Sequence, residues 1–351
     1  MKFLVEYGFV LLILYSCQHK EMEKLSFVDD SFNSGFKLSK GKVVDINDTA
    51  FALPISIKYH PKDYLICSEI KSNDLLTIVN LKTGAIQKVV KKGRGPNECI
   101  HVGSVSIVND DIWVYGPALQ KMLHLKLDSV GAFYIKEEFR INEQMPRCIA
   151  LTNELFAGTS FSKYRVSYYN RKGDFLYGTL GLPKEIAPNV DIIPNVVFQT
   201  AITATPDGKH VVLANQFIDV LESYSDIGDT TFVLIGPDGF RTNVKPRKIG
   251  GGRTFPMDPL CLAYAEVTAV ENEIWGSYIG VQKQKGSSSQ GGMDVPKQIF
   301  CFSCQGQLLR KIEFDNGFIS FAVDSKKAKV FCLVHEPDIK IVQYDITKLL
   351  N

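Results

Sequence analysis

The chain has no excess of charge of either sign, with 40 Lys and Arg against 38 Asp and Glu. It also lacks a long basic stripe, so nothing offers the clustered cations that phosphate neutralisation needs, and nucleic acid is not expected as a partner. Catalytic signatures are missing too. His60, His101, His124, His210 and His335 are scattered, with no HExxH and no pair at ligand spacing, and no serine sits in a GxSxG elbow. Cys301-Phe-Ser-Cys304 is the only CxxC, and it has neither a second pair nor a nearby His, so neither a zinc site nor any other metal or cofactor is expected. An exported chain can form disulfides. Yet Cys67, Cys99, Cys148, Cys261 and Cys332 follow no regular spacing and mostly lie in apolar strand-like runs, the setting of small buried hydrophobes.

The apolar run near the start, Phe9 to Tyr15, is too short to span a bilayer, which takes about 20 residues as a helix. With Lys2 before it, the run fits the core of a secretory signal peptide over residues 1–16. It ends in Leu14-Tyr15-Ser16-Cys17, which resembles a bacterial lipobox and marks Cys17 as the lipidated residue. Acyl chains contribute about 0.8 kcal/mol per buried methylene, so a multiply acylated Cys17 would hold the protein on a membrane. The polar stretch that follows reads as a tether, giving 17–39 as lipidated cysteine and linker and 40–351 as the folded domain.

Within that domain a repeat emerges. ISIKYHPKDYLICSE, VSIVNDDIWVYG, CIALTNELFAGT, ITATPDGKHVVLAN, VTAVENEIWGSY and FAVDSKKAKVFCLV each join two apolar alternating runs through a polar turn, which makes six hairpins. A second hairpin follows most of them, with Gly84, Gly131, Gly173, Gly228 and Gly306 in the turns, where a positive φ is needed. The sixth unit supplies only a third strand, and KGKVVDIND, residues 40–48, can supply its fourth. The expected fold is all-β: a six-bladed β-propeller of four-stranded antiparallel blades, its ring closed by an N-terminal strand.

GRGPNE at 93–98, GPDG at 236–239, LAYAEVTAVENEIWGSYIG at 262–280 and IFCFSCQGQLLRKIEF at 299–314 together resemble the TolB-like six-bladed propeller lipoproteins of Gram-negative envelopes, related in shape to NHL-repeat propellers. The resemblance spans roughly residues 40–346 and implies a lipid-anchored propeller exported to the envelope, at the outer membrane and facing the periplasm or the surface. It carries over no catalytic residues.

GRGPNE falls between the fourth strand of one blade and the first of the next. It reads as a sharp corner, with a positive φ expected at Gly95 and Arg94 expected to cap carbonyls or pair with an acid. A phosphate loop would need a helix directly after the glycines, and ECIHVGSVSIV is not a helix start. The same face carries the long segments 236–259 and 280–296, so Arg94, Asn97, Glu98, Asp238, Arg253 and Asp258 form a candidate ligand-binding rim. The functional expectation is a non-enzymatic binding or scaffold protein for a peptide, a glycan or a partner protein. The alternative is a channel-centred hydrolase or lyase of the propeller lactonase type, with or without a metal, using Asn97, Glu98 and Asp238.

Overall fold

The computed structural model describes residues 24–32, 34–46, 50–180, 199–239, 247–249, 252–254, 259–283, 294–335 and 338–350. Cys17 and Asp258 lie outside the described residues, and Arg253 is described only as part of a strand.

Six antiparallel sheets form a six-bladed propeller. Blades 1, 2 and 3 run over 54–91, 104–140 and 147–178, each with its four strands in sequence order. Blade 4 covers 200–235 and blade 5 covers 260–314. Blade 6 takes three strands from 320–345 and its fourth from Lys42–Val43, with Val43 opposite Val342 and Lys42 opposite Gln343. The ring therefore closes as expected, by joining both ends of the domain in one sheet.

The burial pattern explains the sequence pattern. Second strands such as Tyr64–Glu69 and Asp111–Gly116 are buried at every residue, because neighbouring blades cover both faces of the sheet. Outer strands alternate, as Phe133–Arg140 does. The core is accordingly divided into inter-blade layers, for example Ile66, Leu76, Val114 and Leu123 between blades 1 and 2, and Ile57, Leu65, Phe331 and Leu333 between blades 6 and 1.

All five expected turn glycines have positive φ, from 71° at Gly84 to 92° at Gly228. Each turn also opens on a residue whose side-chain oxygen accepts amides from within it. Asn80 takes the amides of Lys82 and Thr83, Asp128 those of Val130 and Ala132, and Ser303 those of Gln305 and Gln307.

The stretch 24–38, expected from the sequence to be tether, is instead built into the ring. Lys24–Ser26 adds in parallel to the outer strand of blade 4, and Gly35–Leu38 adds in parallel to that of blade 5. Between them Phe27 and Phe32 fill the crevice between these blades. Phe32 stacks on Phe300 at 5.0 Å, and Phe27 meets Phe302 edge-on at 5.6 Å. The reason is the usual one for sheet edges: two outer strands would otherwise present unpaired backbone to solvent.

Candidate functional site

The GRGPNE corner lies over the outer half of blade 2, away from the ring axis. Lys121, almost fully buried, donates from Nζ to the Gly95 carbonyl at 2.6 Å and to Glu138 Oε2 at 2.9 Å, and Glu138 Oε2 also accepts the Asn97 amide at 2.6 Å. Glu98 turns back into the corner, where its Oε2 accepts the Gly95 amide at 2.8 Å. The expected positive φ at Gly95 is not found. Asn97 carries it instead, at 58°. Glycine at 93 and 95 serves a different purpose, leaving room for Glu98: a Cβ at Gly93 would overlap its carboxylate, and one at Gly95 would come within 3.0 Å of it. Arg94 is exposed and has no hydrogen bond or ion pair among the described residues, so it neither caps carbonyls nor pairs with an acid there.

Asp238 lies at a different crossing, from blade 4 to blade 5, on the same end of the ring. Its Oδ2 accepts the Tyr278 hydroxyl at 2.8 Å. Its amide and that of Gly239 both donate to Asp219 Oδ2 at 2.7 Å. Asp219 is buried, and its Oδ1 has no hydrogen-bond partner. Burial pushes the Asp219 carboxyl up to about 7 against the opposing pull of the Gly239 and Asp238 amides. The crossing also holds a small hairpin, Arg247–Ile249 against Gly252–Thr254. Blades 2, 3 and 4 separate Asp238 from Asn97 and Glu98, so these three members of the expected rim share an end of the ring but do not meet.

The candidate site lies on the axis, at the other end. A cavity of about 360 Å³ is lined by the last residues of all six innermost strands and the turns after them, including Lys58, Ser106, Ile149, Thr203, Thr268 and Val323. At its inner end Lys58 Nζ lies 2.8 Å from Glu266 Oε1, although these residues belong to blades 1 and 5. Glu266 Oε2 accepts from the Ser320 hydroxyl at 2.6 Å and from the Phe321 amide at 3.1 Å, both in blade 6. Ser320 Oγ in turn accepts the Ile57 amide of blade 1 at 2.9 Å.

The same device recurs elsewhere around the axis, where Ser106 Oγ of blade 2 accepts the Ala150 amide of blade 3 at 2.9 Å. An innermost strand has one edge without a ladder partner, and these side chains satisfy part of it. Deeper in the channel Arg147 is solvent-exposed while enclosed by the ring, and burial lowers the affinity of its guanidinium for its proton against the attraction of Glu266. The result is a small mixed-polarity pocket with a fixed charge pair at its inner end.

A second polar cluster lies in blade 2 and is tied to blade 3 through Arg171, which pairs with Glu137. His124 is buried, stacks on Trp113 at 4.0 Å, and has Glu137 at 2.7 Å from Nδ1 and Asp111 at 2.8 Å from Nε2. Both ring nitrogens are thus engaged. Among the described residues no group of three His, Cys, Asp or Glu is placed to hold a metal ion. The cysteines from Cys67 to Cys332 are free, and all but Cys304 are buried. Burial pushes the Cys99 thiol up to about 11, which suits a packing role.

No local signal marks Lys58 and Glu266, because 208 residues separate them.

Among solved structures, a member of the DUF4221 family from Bacteroides vulgatus matches with a TM-score of 0.56 and 10% identity over 88% of this chain and 96% of its own. Regucalcin from Agrobacterium tumefaciens, described as a calcium-binding protein, gives 0.47 and 10% over 89% and 95%. Virginiamycin B lyase from Staphylococcus aureus gives 0.47 and 13% over 87% and 98%. At such identities the likeness concerns the fold alone. No curated protein matches the chain in sequence. The model of the family described as "TolB-like 6-blade propeller-like" matches residues 32–326, which take in all or part of every blade. On that match, and with six blades closed through the N-terminal strand, the chain belongs to the TolB-like six-bladed propeller family.

Proposed function

We propose that this protein is a lipid-anchored, non-catalytic binding protein of the cell envelope, held through Cys17, whose axial cavity takes a small ligand or the end of a peptide or glycan chain. The observation that carries the binding role is the cavity itself, to which every blade contributes. Its volume of about 360 Å³ lies at the small end of the range of about 300–1,000 Å³ typical of ligand pockets. The lining is mostly aliphatic or hydroxylic, with Lys58 neutralised by Glu266 at the inner end and Glu271, Asp324 and Lys326 at the strand ends and turns around the mouth, a mixed surface suited to holding a small polar ligand. The lactonase-type alternative loses its residues, since Glu98 and Asn97 serve one corner and Asp238 serves another.

The anchor rests on the lipobox-like Leu14-Tyr15-Ser16-Cys17 and on the envelope lipoproteins that the sequence resembles. The test combines two measurements. Intact mass of protein purified from membranes should show acyl chains at Cys17, and Cys17→Ala should move a folded protein to the soluble fraction. A thermal-shift screen of small carboxylates, sugars and short peptides should find ligands that raise Tm without being consumed. Turnover of a lactone or glycan in that screen would replace binding by catalysis.

A further inference from the structure

The charges at the foot of the axial cavity do not balance. Arg147 opens the innermost strand of blade 3, Arg147–Ala150. The deepest lining residues of blades 3 and 5 are Ile149 and Thr268, each two residues beyond Arg147 and Glu266, so these two charged residues share one level, about 7 Å of strand below the cavity. Lys58 reaches down to that level and pairs with Glu266 at 2.8 Å, and the Glu266 carboxylate is further occupied by the Ser320 hydroxyl and the Phe321 amide. Arg147 has no such partner. Glu266 is the one charge among the described residues that acts on it, and the two form no ion pair.

The guanidinium is fixed on one side and open on the other. Its Nη1 donates to the Gly103 carbonyl, just before blade 2, while Nε and Nη2 make no hydrogen bond among the described residues. The N–H groups of Nε and Nη2 lie on one edge of the plane and point the same way, a fork that matches the two oxygens of a carboxylate. Arg147 is solvent-exposed although the ring encloses it, so its open side faces the channel. Arginine keeps its charge in such a setting. Lys58 and Arg147 against Glu266 therefore leave the floor with an excess of positive charge. At the mouth the balance is reversed, with Glu271 and Asp324 against Lys326. A ligand with one acidic end is thus favoured to lie acid end down.

We infer that the cavity takes a small carboxylic acid, its carboxylate paired with the Nε–Nη2 edge of Arg147 and its body lying among Ile149, Thr203, Thr268 and Val323. This deepens the proposed function and rests on the axial cavity as the binding site. A volume of about 360 Å³ holds a body of few atoms, and its aliphatic and hydroxyl lining suits a short alkyl or hydroxyalkyl chain. An uncharged ligand leaves the enclosed guanidinium without a counter-charge, and a cationic one meets the excess of positive charge at the floor.

The test is calorimetric titration of the full chain with butanoate, hexanoate and lactate, with the primary amide of each, and with methyl phosphate. At least one acid should bind, and at least about tenfold more tightly than its amide or methyl phosphate. Arg147→Met should weaken that acid by at least about tenfold and leave the amide unchanged, with Arg147→Lys in between, and thermal melts check that both variants fold. Equal affinity of acid and amide for the wild-type protein overturns the inference without any variant, as does the failure of every acid to bind. Tighter binding of methyl phosphate overturns the ligand class. Thr268→Trp separates the inference from the reading beneath it. Acid binding that needs Arg147 but survives Thr268→Trp overturns the cavity as the site and leaves the carboxylate pairing. An amide that equals its acid and is lost in Thr268→Trp leaves the cavity and overturns the pairing.

Discussion

Lys58 of blade 1 and Glu266 of blade 5 meet at 2.8 Å across the inner face of blade 6, the blade assembled from both ends of the domain. Through Ser320 and the Phe321 amide the pair ties three blades together at the point of closure. Glu266→Ala leaves a largely buried ammonium, a hydroxyl and an amide without their acceptor, and should cost about 3 kcal/mol in chemical denaturation. Lys58→Met removes the charge and keeps the stem, so it should cost less. The double variant should be more stable than the sum of the two changes implies, and strict additivity would show that the pair is not coupled.

The N-terminal arm makes a stability prediction that a tether would not. Phe27 is 6% exposed between blades 4 and 5, and Phe27→Ala should cost about 3–5 kcal/mol, read as a shift in denaturant midpoint. Removing residues 18–38 should in addition free two outer strands and cause aggregation, measured by light scattering. An unchanged midpoint for Phe27→Ala would return this segment to linker status.

The fold was legible to the extent that it repeats. Turn glycines, alternating runs and the missing fourth strand each report on a local element, and six copies make the reading self-consistent. Leu25, Phe27, Phe32 and Phe36 carried the arm's signal, but irregular spacing in a polar setting resembles neither strand nor helix, and their partners lie some 200–280 residues on, in blades 4 and 5. For the site, topology placed the crossings on one end correctly. It did not show that Glu98 and Asp238 are occupied by their own loops, or that the concavity lies at the other end, because both depend on where side chains turn.

Gly93 and Glu98 act as one unit in the corner. Gly93→Ala should displace the Glu98 carboxylate, which is the movable end of a flexible side chain, and so lose its bond to the Gly95 amide at about 1–2 kcal/mol. Glu98→Ala should lose the same bond, and the double variant should cost little more than either alone. Additive losses in thermal melts would mean that the two positions serve different contacts.

Asp219 gives the fold a pH dependence of definite sign. Its folded-state value of about 7 lies above the value of about 4 in an unfolded chain, so the folded protein keeps a proton that the unfolded chain releases. The stability associated with that proton is complete below about pH 4, declines as pH rises to about 7, and is gone above it, at up to about 1.4 kcal/mol per pH unit. Asp219→Asn keeps an acceptor for the Asp238 and Gly239 amides and cannot titrate. It should therefore flatten the stability–pH curve between pH 4 and 7, the interval set by those two values. A wild-type slope that persists in this variant would assign the effect to another group.

The most direct measurement compares one ligand on two variants. Any compound that stabilises the wild-type protein is titrated calorimetrically against Thr268→Trp, which fills the axial cavity, and against Arg94→Ala combined with Asp238→Asn, which alters the crossing loops at the opposite end. The account predicts that Thr268→Trp weakens binding at least about tenfold, while the crossing-loop variant binds as the wild type does. Binding that survives in the filled cavity and disappears in the crossing-loop variant would move the site off the axis and contradict it.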